Sequence, residues 1–406
     1  MKHSIAPFSP DPDHDFEIRT ALGLAAEGST EPGEVLAATA GIRKGHHEAW
    51  FAAWNDLATR TAAVAEEAAQ AGHRVSAAEA SLRASTYFGV AVNALSGLPD
   101  SDDLVATFRK QRAAWESFVS HSSTRVERVD IPFGLGSLPG YLFRPSQDAQ
   151  PTGATLVAVN GSDGSLATLW ATCVSPALKR GWNVLVFDGP GQQSQLFERN
   201  TFFRSDWENV LTPVYDFVAR QQGVDPSRIA LYGISQAGYW VTRALVFEHR
   251  FAAAIADPGV VDVSTSWTGH LPKPLLKALD DGETEKFDKE MALGLTFAGD
   301  TARTWQFRAR PYGTKGYAET IEAVRTYRVT EEQARQITTP LFITDPEGEQ
   351  FWPGQSEQLA QWTAGVSTLS RFTAAEGADG HCEPLARTVT AQRMLDWLDT
   401  RVAASR

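Results

Sequence analysis

The stretch that decides the fold is residues 231–238, LYGISQAG. An apolar run, residues 228–232, leads into it, and apolar residues at helical spacing follow over residues 239–248. A strand, a sharp turn with serine at its apex and a helix form a nucleophile elbow, in which the serine backbone is strained. That turn needs small residues two positions to either side of the serine, and Gly233 and Ala237 flank Ser235 in this way. An ordinary strand-to-helix turn can carry the same pattern, so the rest of the chain has to decide.

Short apolar runs alternate with helical patterns on both sides of this stretch. Runs that are apolar throughout and separated by helices indicate a largely parallel sheet covered on both faces. Residues 124–131 and 140–144 come first and resemble a hairpin. We therefore predict an α/β fold of the α/β-hydrolase type, with a mostly parallel central sheet. The predicted strands of the parallel part are residues 155–159, 183–187, 228–232, 251–255, 340–344 and 367–372.

Changes in composition divide the chain. Residues 1–32 are rich in Pro, Asp and Gly and predict an irregular lead-in. Residues 33–121 show helical periodicity and predict an all-helical N-terminal unit that caps the next domain. Residues 122–406 are the predicted hydrolase domain. Within it, residues 259–339 interrupt the strand–helix alternation at the edge of the sheet where ligands bind, which predicts a lid insertion.

Composition limits the binding partners and the cellular compartment that we expect for this protein. The net charge of −12 argues against nucleic acid or an anionic membrane surface as a partner. No run approaches the roughly 20 apolar residues of a membrane span, and the first residues lack the apolar segment of a secretory signal. Cys173 and Cys382 form neither a metal-ligand spacing nor a disulfide framework, so we expect a cytoplasmic protein. We expect a small-molecule substrate, and a homodimer is an assembly that the sequence leaves open.

A serine hydroxyl needs a base to take its proton and a third group to hold that base. In this fold the acid should follow a later strand and the histidine should follow the last one. His381 lies in the loop EGADGHC, residues 376–382, directly after the last predicted strand. This position favours His381 as the base over a surface or structural histidine.

Three carboxylates compete for the role of the acid. Asp345, Glu347 and Glu349 all follow the predicted strand 340–344. Glu349 stands four residues before Pro353, the usual distance from the acid to the proline that begins the next helix, so we favour it. Asp345, at the strand end, is the alternative and Glu347 is third. At least two of the three only solvate the loop.

Backbone donors for an oxyanion are predicted in two places. One is the N–H of Gln236, directly after the serine, and the other lies in the loop after the strand 155–159. That loop is NGSDGS, residues 160–165, in which we favour Ser162 and then Gly161. A plain turn explains the loop equally well. No Walker lysine follows it, so it is a weak phosphate site.

Aspartates after two further strands are possible substrate contacts. Asp257 and Asp262 follow the strand after the elbow, and Asp188 follows the strand 183–187. Because such residues more often form salt bridges or cap helices, we favour the structural role.

Five motifs together carry a resemblance to a known family: FDGPGQ (187–192), FRSDWE (203–208), VDPSRI (224–229), the elbow and GHC (380–382). They are similar to the group of α/β-hydrolases that includes fermentation-respiration switch protein and 2,6-dihydroxypseudooxynicotine hydrolase. The resemblance implies Ser235 as nucleophile, His381 as base and Glu349 as acid. Relatives often have Gly where Ala237 stands and Asp where Glu349 stands. Members of this group cleave esters, and some cleave carbon–carbon bonds next to carbonyls.

We therefore expect a serine hydrolase without a cofactor or metal. It would cleave an ester or a carbon–carbon bond in a small substrate, aromatic or ketone-containing, through an acyl-enzyme. The alternatives are a peptidase acting on short or acylated peptides and a binding protein on a hydrolase scaffold.

Overall fold

The computed structural model describes residues 5–296 and 298–403. The described chain up to residue 121 is helical, and over residues 33–121 this agrees with the sequence prediction. Apolar side chains from all five of its helices form a cluster around Trp54 and Tyr87, both inaccessible to solvent. The helices of this region are α1 (Pro12–Gly23), α2 (Pro32–Thr39), α3 (His47–Gln70), α4 (Arg74–Ala94) and α5 (Asp103–His121).

The prediction of an irregular lead-in over residues 1–32 is wrong, because α1 lies within it. Asp11 caps this helix: its side chain accepts hydrogen bonds from the N–H groups of Asp13 and His14. Pro12 occupies the first turn, where its missing N–H costs nothing. The Pro and Asp residues that suggested a loop are therefore the signals of a helix start.

The second part is an α/β fold built on one sheet. Among the described residues, eight strands follow the order β1-β2-β4-β3-β5-β6-β7-β8, antiparallel where β2 pairs with β1 and β4 and parallel elsewhere. The strands β3, β4, β6 and β7 are buried along their whole length, which explains their unbroken apolar sequences. The strands are β1 (Arg125–Phe133), β2 (Gly136–Arg144), β3 (Thr155–Val159), β4 (Asn183–Phe187), β5 (Ile229–Ile234), β6 (Ala253–Asp257), β7 (Leu341–Pro346) and β8 (Ser367–Phe372).

Helices cover both faces of the sheet, and a π-helix at Trp170–Val174 joins the first two of them. The segment predicted as a lid is mostly helical, and its role as a lid stays a prediction. The helices are α6 (Leu166–Leu169), α7 (Ser175–Leu178), α8 (Gln193–Phe197), α9 (Glu208–Val218), α10 (Ala237–Leu245), then α11 (Thr265–Thr268), α12 (Lys273–Asp280), α13 (Thr284–Thr296), α14 (Gly299–Ala309), α15 (Tyr317–Arg325) and α16 (Glu331–Ala334) between β6 and β7, and finally α17 (Gln355–Trp362) and α18 (Arg387–Ala403).

The helical region and the α/β region share a core. Trp115 and Phe118 of α5 pack against Phe143 of β2 and Trp170, with ring centroids 4.8 to 6.1 Å apart. A second contact involves the segment 259–339: Arg303 of α14 donates to the carbonyl oxygen of Gly97, shortly after α4, at 2.6 Å. The segment 259–339 thus contacts the helical region above the carboxyl ends of the strands.

Candidate active site

Ser235 lies in the turn between β5 and α10. Its φ is +59°, a left-handed conformation that is uncommon for a residue with a side chain. The Ser235 N–H donates to the carbonyl oxygen of Asp257 at 2.6 Å, which holds this backbone in place. A Cβ on Gly233 would lie 2.5 Å from the carbonyl oxygen of Ala237, and one on Gly238 would lie 2.0 Å from that of Pro258. The turn therefore requires glycine at both positions, and Ala237 between them is fully buried.

Ser235, His381 and Glu349 form one chain of hydrogen bonds. Nε2 of His381 lies 2.8 Å from Oγ of Ser235, and Nδ1 lies 2.8 Å from Oε2 of Glu349. The other oxygen of Glu349 accepts from the N–H groups of Phe351 and Trp352 at 2.8 and 3.1 Å. His381 and Glu349 are buried, whereas Ser235 is partly accessible. The geometry allows the serine proton to pass to an imidazole that a carboxylate orients.

The environment of Glu349 favours its ionised form. Burial alone would raise the pKa of this carboxyl, but the adjacent His381 and the hydrogen bonds that Glu349 accepts outweigh burial and lower the pKa. An ionised Glu349 can balance a positive charge on His381.

The other two carboxylates of this loop are engaged elsewhere. Asp345, the predicted alternative, belongs to β7 itself and forms an ion pair with Arg371 of β8. Glu347 accepts from the N–H of Ala374 at 2.9 Å. Of the three, the structure places Glu349 beside His381.

The loop after β3 lies against Ser235. A Cβ on Gly161 would be 2.9 Å from Cβ of Ser235, so only glycine fits there. The N–H of Gly161 donates to Oδ1 of Asn160 at 2.9 Å, which argues against Gly161 as an oxyanion donor. Ser162 and Gln236 line the same cavity as Ser235. They stay the two predicted donors.

Asp257 is not a substrate contact, contrary to the possibility raised above. It is the last residue of β6, fully buried, and its carboxylate accepts from Arg387 at 3.0 Å, Tyr232 at 2.8 Å and Thr344 at 2.9 Å. Burial opposes ionisation of Asp257, but Arg387 and these donors lower its pKa. Arg387 also donates to Glu383, two residues after His381, at 3.2 Å. This network, from Asp257 through Arg387 to Glu383, joins the strand end that holds Ser235 to the loop that carries His381.

Asp262 and Asp188 also have structural roles. Asp262 accepts from the hydroxyl and the N–H of Ser264 at 2.6 and 2.9 Å and does not line the cavity around Ser235. Asp188 is buried and pairs with Arg112 of α5, which ties the helical region to the sheet. The possible substrate contacts at Asp257 and Asp262 are thus a buried ion pair and a turn cap, which are the kinds of structural role that the sequence analysis favoured.

Ser235 opens into a cavity of about 620 Å³ between the sheet edge, the helical region and the segment 259–339. Its size is that of a pocket for a small organic molecule. Phe351 packs against the His381 ring at 4.7 Å, and Phe16 of α1 lies 6.4 Å from it. Aromatic side chains from all three parts of the wall line this space, among them Trp50 of α3, Trp267 of α11 and Phe351 of the loop after β7.

The sequence reading missed Phe16, Glu17 and Arg387. Phe16 and Glu17 line the cavity, and both lie in the stretch that the sequence predicts to be irregular. Arg387 stands four residues after Glu383, a helical spacing too common to single out.

Within residues 5–296 and 298–403 there is no group of three or more His, Cys, Asp or Glu side chains placed to hold a metal ion. No helix in that part of the chain has the length and apolar character to cross a bilayer.

Comparison with known proteins agrees with this fold. The model of a family described as the alpha/beta hydrolase family matches residues 156–392. The chain is 32% identical to the alpha/beta hydrolase xenA of Xenoacremonium sinensis, over 84% of this chain and 83% of that protein. It is 29% identical to the hydrolase acrC of Aspergillus aculeatus, over 98% and 99%. The crystal structure of 2,6-dihydroxy-pseudo-oxynicotine hydrolase has the same fold, with a TM-score of 0.72 at 18% identity over 95% and 96% of the two chains.

Proposed function

Because the chain belongs to the alpha/beta hydrolase family and is an enzyme of the hydrolase class, we propose that it is a serine hydrolase that works through an acyl-enzyme. The observation that carries the proposal is the hydrogen-bond chain from Glu349 through His381 to Ser235, with 2.8 Å at each step. The cavity into which Ser235 opens supports a small organic substrate, and its aromatic walls suit apolar or aromatic groups.

The proposed reaction has two halves. His381 takes the Ser235 proton as Oγ attacks a substrate carbonyl, and the N–H groups of Gln236 and Ser162 hold the oxyanion. The tetrahedral intermediate collapses when the bond to the leaving group breaks, and His381 gives its proton to that group. Water, deprotonated by His381, then attacks the acyl-enzyme and releases an acid and free Ser235. Glu349 keeps Nδ1 of His381 protonated throughout.

The bond that breaks is an ester or a carbon–carbon bond next to a carbonyl. Both reactions use the same first attack, and they differ in the atom that His381 protonates. In an ester that atom is oxygen, whereas in a β-diketone it is the carbon of a stabilised carbanion. The network from Asp257 to Glu383 holds the nucleophile and the base in register for either leaving group.

A substrate panel tests the proposal. The purified protein is assayed with p-nitrophenyl esters, peptide p-nitroanilides and aryl β-diketones beside the Ser235→Ala variant. We expect hydrolysis of an ester or a diketone, with a burst of product close to one equivalent of enzyme where deacylation is slow. If only the peptide p-nitroanilides are cleaved, the protein is a peptidase, and the assignment of ester or carbon–carbon cleavage is wrong. Equal activity in wild type and Ser235→Ala would refute the serine mechanism.

A further inference from the structure

The helix α1 contributes a glutamate to the wall of the cavity that Ser235 lines. Glu17 lines this cavity, and Phe16, the residue before it, lies 6.4 Å from the His381 ring. Glu17 is half-buried, and the surface it leaves accessible faces the cavity. No hydrogen-bond donor reaches its carboxyl among residues 5–296 and 298–403. A carboxyl group in the wall of the cavity is thus left without a hydrogen-bond donor from the described part of the protein.

Charged groups from three elements face this carboxyl. Asp163 comes from the loop after β3, Asp13 from α1 itself and Arg308 from α14. Arg308 also stacks over the Phe351 ring, 5.7 Å from its centroid. Burial, followed by the two aspartates, raises the pKa of Glu17 to about 8, and Arg308 opposes the change. Near neutral pH Glu17 is therefore mostly a neutral acid, with one O–H donor and acceptor oxygens.

We propose that Glu17 is a substrate-binding residue that donates a hydrogen bond to a carbonyl or hydroxyl oxygen of an uncharged substrate. The inference rests on the proposed function and adds a substrate class to it. A substrate carboxylate is rejected, because it would meet Asp13 and Asp163 in a space that already disfavours charge. A substrate ammonium would instead be attracted by Asp13 and Asp163 and would favour the ionised form of Glu17, so a cationic substrate is the competing outcome of the test.

Four p-nitrophenyl esters of similar length test this specificity. They are the heptanoate, the 6-oxoheptanoate, the monoadipate and the 6-aminohexanoate, whose chain ends are alkyl, ketone, carboxylate and ammonium. The variants are Glu17→Gln and Glu17→Ala, and the control is Glu48→Gln, which changes an exposed glutamate of the helical region outside the cavity. The measured quantity is kcat/KM relative to the heptanoate, because this ratio cancels any pH dependence that the two esters share.

Wild type should prefer the ketone ester to the heptanoate by about tenfold at pH 7, the usual contribution of one hydrogen bond. The preference should fall as the pH rises through about 8, since Glu17 then loses the proton that it donates. Glu17→Gln keeps a donor that does not titrate, so its preference should stay level with pH. Glu17→Ala should lose the preference, and Glu48→Gln should match wild type.

A wild type that favours the carboxylate or the ammonium ester would overturn the inference. So would a ketone preference that survives in Glu17→Ala, or one that falls with pH equally in Glu17→Gln. These failures differ from a failure of the proposed function. In them the heptanoate is still hydrolysed and the activity is still lost in Ser235→Ala, whereas an incorrect serine mechanism removes that dependence.

Discussion

At the scale of single residues, the position of each reacting side chain follows from contacts outside the hydrogen-bond chain. Ser235 is held by its N–H bond to Asp257, and Glu349 by the N–H groups of Phe351 and Trp352. The backbone N–H of His381 donates to Oε1 of Gln350 at 3.1 Å. Such support keeps the side chains in reacting geometry before substrate binds, so no reorganisation is needed during the reaction.

Replacing the acid tests the assignment of Glu349. We expect Glu349→Gln to lower kcat by roughly 10⁴-fold, because an amide there no longer favours the tautomer of His381 that accepts the serine proton. Asp345→Asn breaks only its ion pair with the half-exposed Arg371 and should leave kcat within about threefold. The measurement is steady-state hydrolysis of a p-nitrophenyl ester. A larger loss in Asp345→Asn would transfer the role to Asp345.

The charge state of Glu17 predicts a pH dependence of stability. Its pKa is raised from 4.5 to about 8 in the folded protein, so between these values the folded chain keeps a proton that the unfolded chain has released. The folded state then binds more protons, and its stability falls as pH rises through this window. Glu17→Gln has no carboxyl group to titrate at this position, so it does not lose stability in this way as the pH rises. Its Tm should exceed that of wild type by a margin that grows from pH 4.5 to 8.

The exposed Glu48 supplies the control for this experiment. Glu48→Gln makes the same chemical change at the surface, and its Tm difference from wild type at each pH is the reference for Glu17→Gln. Parallel Tm curves for wild type and Glu17→Gln would mean that Glu17 is ionised in the folded protein.

At the scale of elements, the tight turn between β5 and α10 depends on missing side chains. Gly238→Ala places Cβ 2.0 Å from the carbonyl oxygen of Pro258, a backbone atom that cannot rotate away. We expect a loss of stability of several kcal/mol together with loss of activity. Gly294→Ala in α13 is the matched control, because its Cβ meets no atom within 4 Å. It should stabilise the protein by about 0.5 to 1 kcal/mol and keep activity. Thermal and urea unfolding measure both, and an equal effect of the two changes would contradict this account of the turn.

At the scale of the whole molecule, the helical region completes the enzyme. Trp115 and Phe118 of α5 pack against the sheet, and α1 supplies one wall of the cavity. A fragment of residues 122–406 would expose that face of the sheet, at a cost of about 1.5–3 kcal/mol for each large apolar side chain. We expect the fragment to melt without a cooperative transition and to bind the dye ANS, whereas the full chain melts cooperatively. A fragment that melts cooperatively and hydrolyses long esters would show that the helical region is dispensable.

The sequence predicts those features that depend on local pattern. The fully apolar sequences of β3 and β4 indicate buried strands. The small residues around Ser235 indicate an elbow once a carboxylate and a histidine follow in the order that the fold requires. The helix α1 was missed because Pro12 and its aspartates also occur in loops. Glu17 and Arg387 could not be found, because their roles depend on contacts with residues more than a hundred positions away.

Labelling with a fluorophosphonate probe tests the central claim, that Ser235 is a nucleophile activated by His381. Intact mass and peptide mapping report how many probes attach and where. We expect one equivalent on the peptide that carries Ser235, no labelling of Ser235→Ala, and labelling of His381→Ala slower by orders of magnitude. A wild-type protein that stays unlabelled, or a Ser235→Ala variant that labels as wild type does, would contradict the claim.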